Sequence, residues 1–337
     1  MQQIVYISSP ESQQIYAWIM NDKGMLTLLQ KVNISGQVQP MVVNFKQKIL
    51  YVGVRPNFGV ISFKIEADGT LIKAGEVSLP ASPSHLSIDH LGKYLFCSSY
   101  NYGCISVSPI YLDGLPKLPS QIINGLNGCH FANIDNYNHI LYVTALKQNR
   151  IYLFQLDADG YLKEHPQKYV TTVYGSGPRH MSFHPLGEYA YSINELNSTV
   201  DVWQLKDTSN KIKCLQNIEM MSTRLDKNFW AADIHILPNG NFLYTCDRSN
   251  STITIFKVHN NGKLLTIQGH QKMDKALQPR GFCIDTTGNF LVVAGQKSNF
   301  ISVYKISQNC GYLTLIGHYI VGHGPICVVV YNIQSQS

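Results

Sequence analysis

Short runs of alternating apolar and polar residues recur along the whole chain, for example Ile253–Phe256 and Ile301–Tyr304. A period of two is typical of β-strands with one buried face, and these runs are rich in β-branched and aromatic residues. No long segment shows the 3.6-residue period of a helix. The pattern therefore predicts an all-β protein built from many short, half-buried strands.

Two sets of landmark residues show that the runs belong to a repeat. The first landmark is the second residue of a short apolar pair and recurs every 45 to 53 residues, at Tyr6, Tyr51, Phe96, Tyr142, Tyr191, Tyr244 and Val292. The second landmark lies twelve residues after the first, at Trp18, Phe63, Ser108, Phe154, Trp203, Phe256 and Tyr304. This spacing indicates one structural unit repeated seven times.

A turn residue follows the second landmark by about six residues in most repeats. Asn210 is close to this place in the fifth repeat, Gly311 lies one residue late in the seventh, and the other repeats have Gly24, Gly69, Gly114, Gly160 and Gly262. Glycine and asparagine accept a positive φ and favour tight hairpins. Four antiparallel strands in each repeat of this length predict a seven-bladed β-propeller, with residues 1–337 as one domain.

The two ends of the chain are expected to close the ring. The first landmark, Tyr6, has no room for an innermost strand before it, and Ile326–Tyr331 reads as that missing strand. Its pairing with the N-terminal strands protects sheet edges that otherwise promote aggregation. The fifth repeat is the longest, and we expect its insertion near Met220–Phe229 to form a loop over one face.

Composition narrows the class of protein. The chain is 45% hydrophobic and 14% charged, it has no run of eighteen apolar residues, and its start lacks the features of a secretory signal. Eight scattered cysteines without a CxxC pair predict reduced thiols and a cytoplasmic location. The net charge of +6 is spread along the chain without a basic block, so we do not expect nucleic-acid binding. We also expect no membrane partner and a monomeric protein.

Two positions of the repeat carry polar residues that a blade does not need. One position lies eleven residues before the first residue of the apolar pair. It holds His130 before Leu141, Arg179 before Ala190 and Arg280 before Leu291. The other position lies five residues after the first residue of the pair, at Arg55, Tyr100, Glu195, Arg248 and Gln296, with Lys147 and Lys297 one residue later. A single such residue is more often a solvated rim residue in a weak ion pair. Together they predict a pocket at one end of the channel that binds an anion and performs acid–base chemistry.

Other chemistries fit the sequence less well. His180, His184 and the pair Asp233 and His235 suggest a metal, but no third ligand of suitable register is apparent. There is no GxSxG motif of a serine hydrolase. We therefore expect neither a metal nor an organic cofactor.

Eleven segments along the chain resemble the bacterial propeller-type 6-phosphogluconolactonases. They are Pro10–Gln14, Gly36–Met41, Tyr51–Pro56, Gly128–His130, Ala145–Gln148, Gly177–Met181, Asn194–Ser198, Ala231–His235, Cys246–Arg248, Gln278–Phe282 and Ala294–Ser298. The wider superfamily includes a cycloisomerase that acts on carboxy-muconate and uses a His, a Glu and Arg residues. Those residues correspond to His130, Glu195, Arg179 and Arg248 in this sequence.

The resemblance implies that the substrate is a small phosphorylated sugar lactone, 6-phospho-D-glucono-1,5-lactone, opened by direct attack of water in the pentose phosphate pathway. His130 and Glu195 are both candidates for the general base, and Arg179 and Arg248 for stabilising the oxyanion or the phosphate. Further substrate-binding candidates are Arg280, Lys147, Lys297, Arg55, His180 and Gln296. Two alternatives stay open: a cycloisomerase or another lactonase on this scaffold, and a propeller that only binds a partner.

Overall fold

The computed structural model describes residues 2–205, 211–221 and 228–333. In these ranges the chain forms 28 strands, arranged in seven four-stranded antiparallel sheets. The seven-bladed β-propeller predicted from the repeats is confirmed. That residues 1–337 form one domain stays a prediction, and residues 222–227 of the predicted fifth-repeat loop lie outside the described residues.

The first fourteen strands are β1 (Gln3–Ser9), β2 (Gln14–Met20), β3 (Leu26–Asn33), β4 (Gln37–Asn44), β5 (Ile49–Arg55), β6 (Gly59–Ile65), β7 (Leu71–Ser78), β8 (His85–Ile88), β9 (Tyr94–Ser99), β10 (Cys104–Pro109), β11 (Gln121–Asn124), β12 (Cys129–Ile134), β13 (Ile140–Ala145) and β14 (Arg150–Leu156). The others are β15 (Leu162–Thr171), β16 (Pro178–Phe183), β17 (Tyr189–Asn194), β18 (Thr199–Gln204), β19 (Lys213–Glu219), β20 (Ala231–Ile236), β21 (Phe242–Asp247), β22 (Thr252–His259), β23 (Leu264–Lys272), β24 (Pro279–Ile284), β25 (Phe290–Gly295), β26 (Phe300–Ile306), β27 (Leu313–Ile320) and β28 (Cys327–Asn332). Two 3-10 turns, Leu146–Gln148 and Asn260–Gly262, are the helical elements of the described ranges. Neither turn has the length or the apolar character needed to cross a bilayer.

The C-terminal strand completes the first blade. Blade 1 consists of β28 and β1–β3, and blades 2 to 7 each take four consecutive strands beginning at β4, β8, β12, β16, β20 and β24. β28 pairs antiparallel with β1, with Tyr331 opposite Ile4 and Cys327 opposite Ser8. The predicted closure by Ile326–Tyr331 is therefore confirmed to within one residue. The first strand of each blade contacts its counterparts in the two neighbouring blades, so these seven strands surround the channel.

The hydrophobic cores lie between adjacent blades. Seven clusters of buried apolar side chains occur in the described residues, each formed by two neighbouring blades. The alternating runs therefore do not have the solvent-exposed face that their period suggests. The polar residues Thr254 and Ser302 are only 1% and 0% exposed, so both faces of these strands are buried. Their hydroxyls are hydrogen-bonded to the Met220 carbonyl and to His318.

The first landmark and the turn glycine form a bond between blades. The hydroxyls of Tyr6, Tyr51, Tyr191 and Tyr244 donate to the carbonyls of Gly69, Gly114, Gly262 and Gly311 in the next blade, at 2.7–2.8 Å. All four glycines have a positive φ, as the hairpin interpretation requires. A hydrogen bond of this kind contributes on the order of 1 kcal/mol. Asn210, the turn residue of the fifth repeat, lies outside the described residues.

Candidate active site

A cavity of about 1110 Å³ lies along the channel and is lined by residues of all seven innermost strands. Its wall includes Arg55, Tyr100, His130, Arg179, His180, Glu195, Arg248 and Arg280. The structure thus brings together most of the residues that the repeat register singled out. Lys147, Lys297 and Gln296 are not among the lining residues, and both lysines are exposed. Their part in substrate binding stays a prediction.

Local irregularities turn the first set of site residues into the channel. The pairing of β12, β16 and β24 with the following strand shifts register at His130, Arg179 and Arg280. A bulge of this kind re-aims a side chain that a regular strand would direct elsewhere. In each case the residue two positions earlier has a positive φ, at Gly128, Gly177 and Gln278. The same local geometry is therefore repeated in three blades.

Glu195 forms ion pairs with two arginines, Arg179 of blade 5 and Arg248 of blade 6. It follows β17, and its Oε2 lies 2.8 Å from Nε of Arg179 and 3.2 Å from Nη2 of Arg248. The two arginine side chains are 3% and 4% exposed, so the ion pairs are almost fully shielded from water. Two buried cations with one carboxylate leave an excess of positive charge, and removing the carboxylate would leave both cations unpaired.

Backbone carbonyls complete the support of the two arginines. Arg248 donates from Nε to the carbonyl of Trp230 and from Nη2 to that of Ala231, each at 3.2 Å. Its guanidinium carbon also lies 3.9 Å from the centre of the Trp230 ring, a cation–π contact. Arg179 donates from Nη1 to the carbonyl of Ala232. Each guanidinium is therefore held in a fixed orientation at the cavity wall.

Three histidines form a cluster beside Arg179. Nε2 of His180 lies 3.2 Å from Nδ1 of His130 and 3.2 Å from Nη1 of Arg179, and the ring of His85 lies 5.5 Å from that of His180. Burial and the Arg179 charge lower the pKa of His180 to about 4. Burial and His180 lower the pKa of His85 to about 3. The pKa of His130 is also held well below its ordinary value, by burial, Arg179 and His180, so all three rings are neutral at pH 7.

Asp233 anchors the cluster from blade 6. Its Oδ1 lies 2.7 Å from Nδ1 of His180, and its Oδ2 lies 3.2 Å from Nε2 of His235. Burial acts to raise the pKa of Asp233, but His235 and His180 outweigh it and keep the pKa well below the ordinary value. Asp233 is therefore ionised at neutral pH.

Two further cations on the wall have free hydrogen-bonding capacity. No hydrogen bond or ion pair joins the Arg280 guanidinium to any other described residue. Burial and the charge of Arg179 lower its pKa to about 10, so it stays charged at neutral pH. Arg55 donates from Nη2 to the Pro83 carbonyl at 2.8 Å, while its Nε has no partner among the described residues. Lys147 lies near this end of the channel, with Nζ 5.0 Å from the centre of the Tyr100 ring.

The structure also assigns places to residues that the sequence left undecided or missed. His180 and His184 do not converge, because His184 is buried beside Tyr191 and is not on the cavity wall. No group of three His, Cys, Asp or Glu side chains suited to a metal ion occurs in the described residues. Trp230 and His85 were missed. Neither lies at one of the two repeat positions that carry the other polar residues, although His85 lies one residue after the position equivalent to His130.

Comparisons with known proteins agree with this architecture. The family described as "Lactonase, 7-bladed beta-propeller" matches residues 4–330. Proteins called 6-phosphogluconolactonase from Cronobacter sakazakii and Klebsiella pneumoniae are 52% and 51% identical to this chain, over 98% of its length and 98–99% of theirs.

Solved structures support the fold separately. The periplasmic gluconolactonase of Pseudomonas aeruginosa superposes with a TM-score of 0.90 at 20% identity, covering 99% of this chain and 100% of that one. A Lactobacillus plantarum protein has the same TM-score at 23% identity, with 98% and 100% coverage. Identity this low shows a shared fold alone. The family match and the relatives that are half identical over nearly the full length carry the assignment, and the chain belongs to the family of seven-bladed β-propeller lactonases.

Proposed function

We propose that this protein hydrolyses 6-phospho-D-glucono-1,5-lactone to 6-phospho-D-gluconate in the cavity lined by His130, Glu195 and the arginines. The substrate is supported by the relatives called 6-phosphogluconolactonase, which match almost the whole chain. The main structural support for this site is the buried group in which Glu195 pairs with Arg179 and Arg248. Arg179 contacts His180, which in turn contacts the neutral His130. A lactone is an activated ester, so water can attack its carbonyl carbon directly if a base accepts the proton.

His130 is the better candidate for the general base. Its ring is neutral at pH 7 because burial and the nearby Arg179 disfavour the imidazolium form. Glu195, in contrast, has Oε2 engaged with two guanidinium groups, and a proton on that oxygen would displace at least one of them. We therefore assign Glu195 to the orientation of Arg179 and Arg248, and His130 to proton transfer.

The arginine pair is suited to stabilise the developing oxyanion. An arginine has five N–H donors in a planar fork. The contacts of Arg179 are those of Nη1 with His180 and the Ala232 carbonyl and that of the buried Nε with Glu195, which is an ion pair by distance without the angle of a hydrogen bond. Those of Arg248 occupy Nε and Nη2. Nη2 of Arg179 and Nη1 of Arg248 have no acceptor among the described residues and are available to the carbonyl oxygen. Donors that are already oriented stabilise a transition-state charge without reorganisation.

Arg280 and Arg55 are the proposed phosphate ligands. Both are charged and line the cavity, and neither is bound to Glu195. The charge of Arg55 also lowers the pKa of Arg280, after burial and Arg179, so the two cations are close enough to repel each other. A phosphate dianion between them would relieve that repulsion and satisfy bidentate donors. After ring opening, the product keeps this phosphate and gains a carboxylate.

We further propose that the reaction needs neither a metal nor an organic cofactor, and that the protein is a cytoplasmic monomer. Direct attack by water on an activated ester requires a base, oxyanion donors and a phosphate site, and the proposed residues supply all three. The eight cysteines are all free, which agrees with a reducing compartment.

A coupled assay tests the proposal. Purified protein is given the phosphorylated lactone, and the product is measured with 6-phosphogluconate dehydrogenase after subtraction of the uncatalysed reaction. We expect a large acceleration that chelators do not abolish. Absence of acceleration, together with cyclisation of a carboxy-muconate, would favour the cycloisomerase alternative. Absence of both activities would favour a binding propeller.

A further inference from the structure

We infer that Asp233 and His180 are positioning residues that hold His130 in one tautomer, with the hydrogen on Nδ1 and a bare Nε2 for the attacking water. The three residues belong to the innermost strands of blades 6, 5 and 4. They form a continuous chain of contacts, 2.7 Å from Asp233 to His180 and 3.2 Å from His180 to His130. The inference rests on the proposed role of His130 as general base.

The ionised carboxylate of Asp233 only accepts hydrogen bonds. Its Oδ1 accepts the backbone N–H of Ile234 at 3.0 Å, and its Oδ2 accepts that of Phe282 at 3.3 Å. A backbone amide is always a donor, so each carboxylate oxygen already serves as an acceptor. His180 and His235 also approach these oxygens through ring nitrogens. The hydrogen between Asp233 and His180 therefore lies on Nδ1 of His180.

The other ring nitrogen of His180, Nε2, carries no hydrogen. A neutral imidazole has one donor and one acceptor nitrogen, so Nε2 of His180 is the acceptor. An independent contact requires the same assignment, because Nη1 of Arg179, which is always a donor, lies 3.2 Å from this Nε2. Two contacts from different residues thus agree on the tautomer of His180.

His180 in turn fixes the tautomer of His130. Nδ1 of His130 faces Nε2 of His180, whose single lone pair is also approached by the Arg179 N–H. A bare Nδ1 on His130 would set two lone pairs against each other at 3.2 Å, so we assign the hydrogen to Nδ1 of His130, which shares the His180 lone pair with Arg179 in a three-centre bond. The neutral ring then has its lone pair on Nε2, the atom that removes a proton from water. The charged and titratable groups around this chain are Arg179, Arg280, His85, Tyr100, His235 and Glu195. In serine hydrolases a buried aspartate fixes the tautomer of a catalytic histidine in a similar way.

The tautomer can be measured without an activity assay. In protein labelled with 15N-histidine, long-range 1H–15N spectra at pH 7 distinguish protonated from bare ring nitrogens, and His130→Gln assigns the signal. We expect His130 and His180 both to be protonated on Nδ1. A His130 ring that is protonated on Nε2 would overturn the inference, whatever the catalytic rate. If the tautomer is as inferred but His130→Gln retains the wild-type kcat, the proposed base is wrong while the hydrogen-bond chain stands.

Two substitutions of His180 separate positioning from packing. Gln at this position offers an amide oxygen to Nδ1 of His130 and to Arg179, whereas Leu offers no acceptor. We expect His180→Leu to lower kcat about 10²- to 10⁴-fold with KM within about threefold, and His180→Gln to recover most of that loss. Equal kcat values for two folded variants would overturn the inference. If neither variant folds, the wild-type spectrum decides alone.

Discussion

The hydroxyl of Ser198 donates a hydrogen bond of 2.8 Å to Oδ2 of Asp247, and it joins blade 5 to blade 6 at the level of the site. Ser198 lies in the turn that carries Glu195, and Asp247 directly precedes Arg248. The same Oδ2 accepts the backbone N–H of Trp230 at 3.1 Å. Since Glu195 and Arg248 meet at 3.2 Å, this buried bond helps to set the distance between the two blades where their charges pair.

Replacing Ser198 with Ala should loosen that connection without changing any charged group. We expect a loss of about 1–2 kcal/mol in the free energy of unfolding and a several-fold lower kcat/KM, because Glu195 no longer holds Arg248 as firmly. Urea denaturation and the coupled assay measure both effects. Ser302→Ala is the matched control, because it also removes a buried hydroxyl, one that is hydrogen-bonded to His318. This variant should lose stability and retain its kcat/KM. A Ser198→Ala enzyme with unchanged kcat/KM would contradict the role assigned to this bond.

His130→Gln should mainly lower kcat, whereas Glu195→Gln should mainly lower the free energy of unfolding. Loss of the general base should lower kcat about 10²- to 10⁴-fold with little change in stability. Glu195→Gln leaves two buried guanidinium groups without their anion, so it should cost several kcal/mol of stability, on the order of 3–5, and a smaller factor in kcat. Thermal unfolding and kcat of both purified variants test this. A larger loss of kcat in Glu195→Gln than in His130→Gln would reverse the assignment.

Arg280→Gln should separate phosphate binding from chemistry. The side chain has no described partner in the protein, so its loss should leave the fold intact. We expect KM for the phosphorylated lactone to rise about 10- to 100-fold, with kcat little changed and no such effect on glucono-1,5-lactone. Arg150→Gln provides a control, because Arg150 lies against Tyr169, away from the cavity wall. An equal effect of Arg280→Gln on the two lactones would argue against a phosphate ligand.

Stability should decrease as the pH falls from about 7 to about 5. In the unfolded chain the histidines have a pKa near 6.5, whereas in the folded protein those of His180 and His85 are about 4 and about 3. Between these values the unfolded state binds more protons, so protonation favours unfolding by up to about 1.4 kcal/mol per pH unit for each histidine. Urea denaturation at pH 7, 6 and 5 and constant ionic strength measures the slope. His180→Gln should reduce it, and an identical slope would show that His180 is not the cause.

Deletion of residues 326–337 should prevent folding of the ring. It removes β28, which forms the whole inner side of blade 1 and pairs with β1 from Gln3 to Ser8. The deletion would expose the edge of β1 and part of the core between blades 7 and 1, and we expect aggregation. Size-exclusion chromatography and thermal unfolding give the result. A shortened chain that melts like the full one would refute the closure by this strand.

The sequence by itself determined the architecture, because each blade uses local signals. The landmark tyrosines, the turn glycines and the period-two runs are properties of single repeats, and seven copies of them specify a ring. The resemblance to lactonases also lay in short contiguous motifs, and the family match confirmed it. Even the set of residues facing one end of the channel followed largely from the register of the repeat.

Only the tertiary structure decided what those residues do to one another. Asp233 and His180 are 53 residues apart, and His180 and His130 are 50 apart, so their contacts depend on how neighbouring blades pack. Asp233 had no role assigned from the sequence once a metal site was judged a poor fit, whereas in the structure its carboxylate accepts hydrogen bonds from His180 and two backbone amides. Register also cannot distinguish Arg248, on the cavity wall, from the exposed Lys297, because it specifies the end of a strand but not the direction of a side chain in the turn that follows.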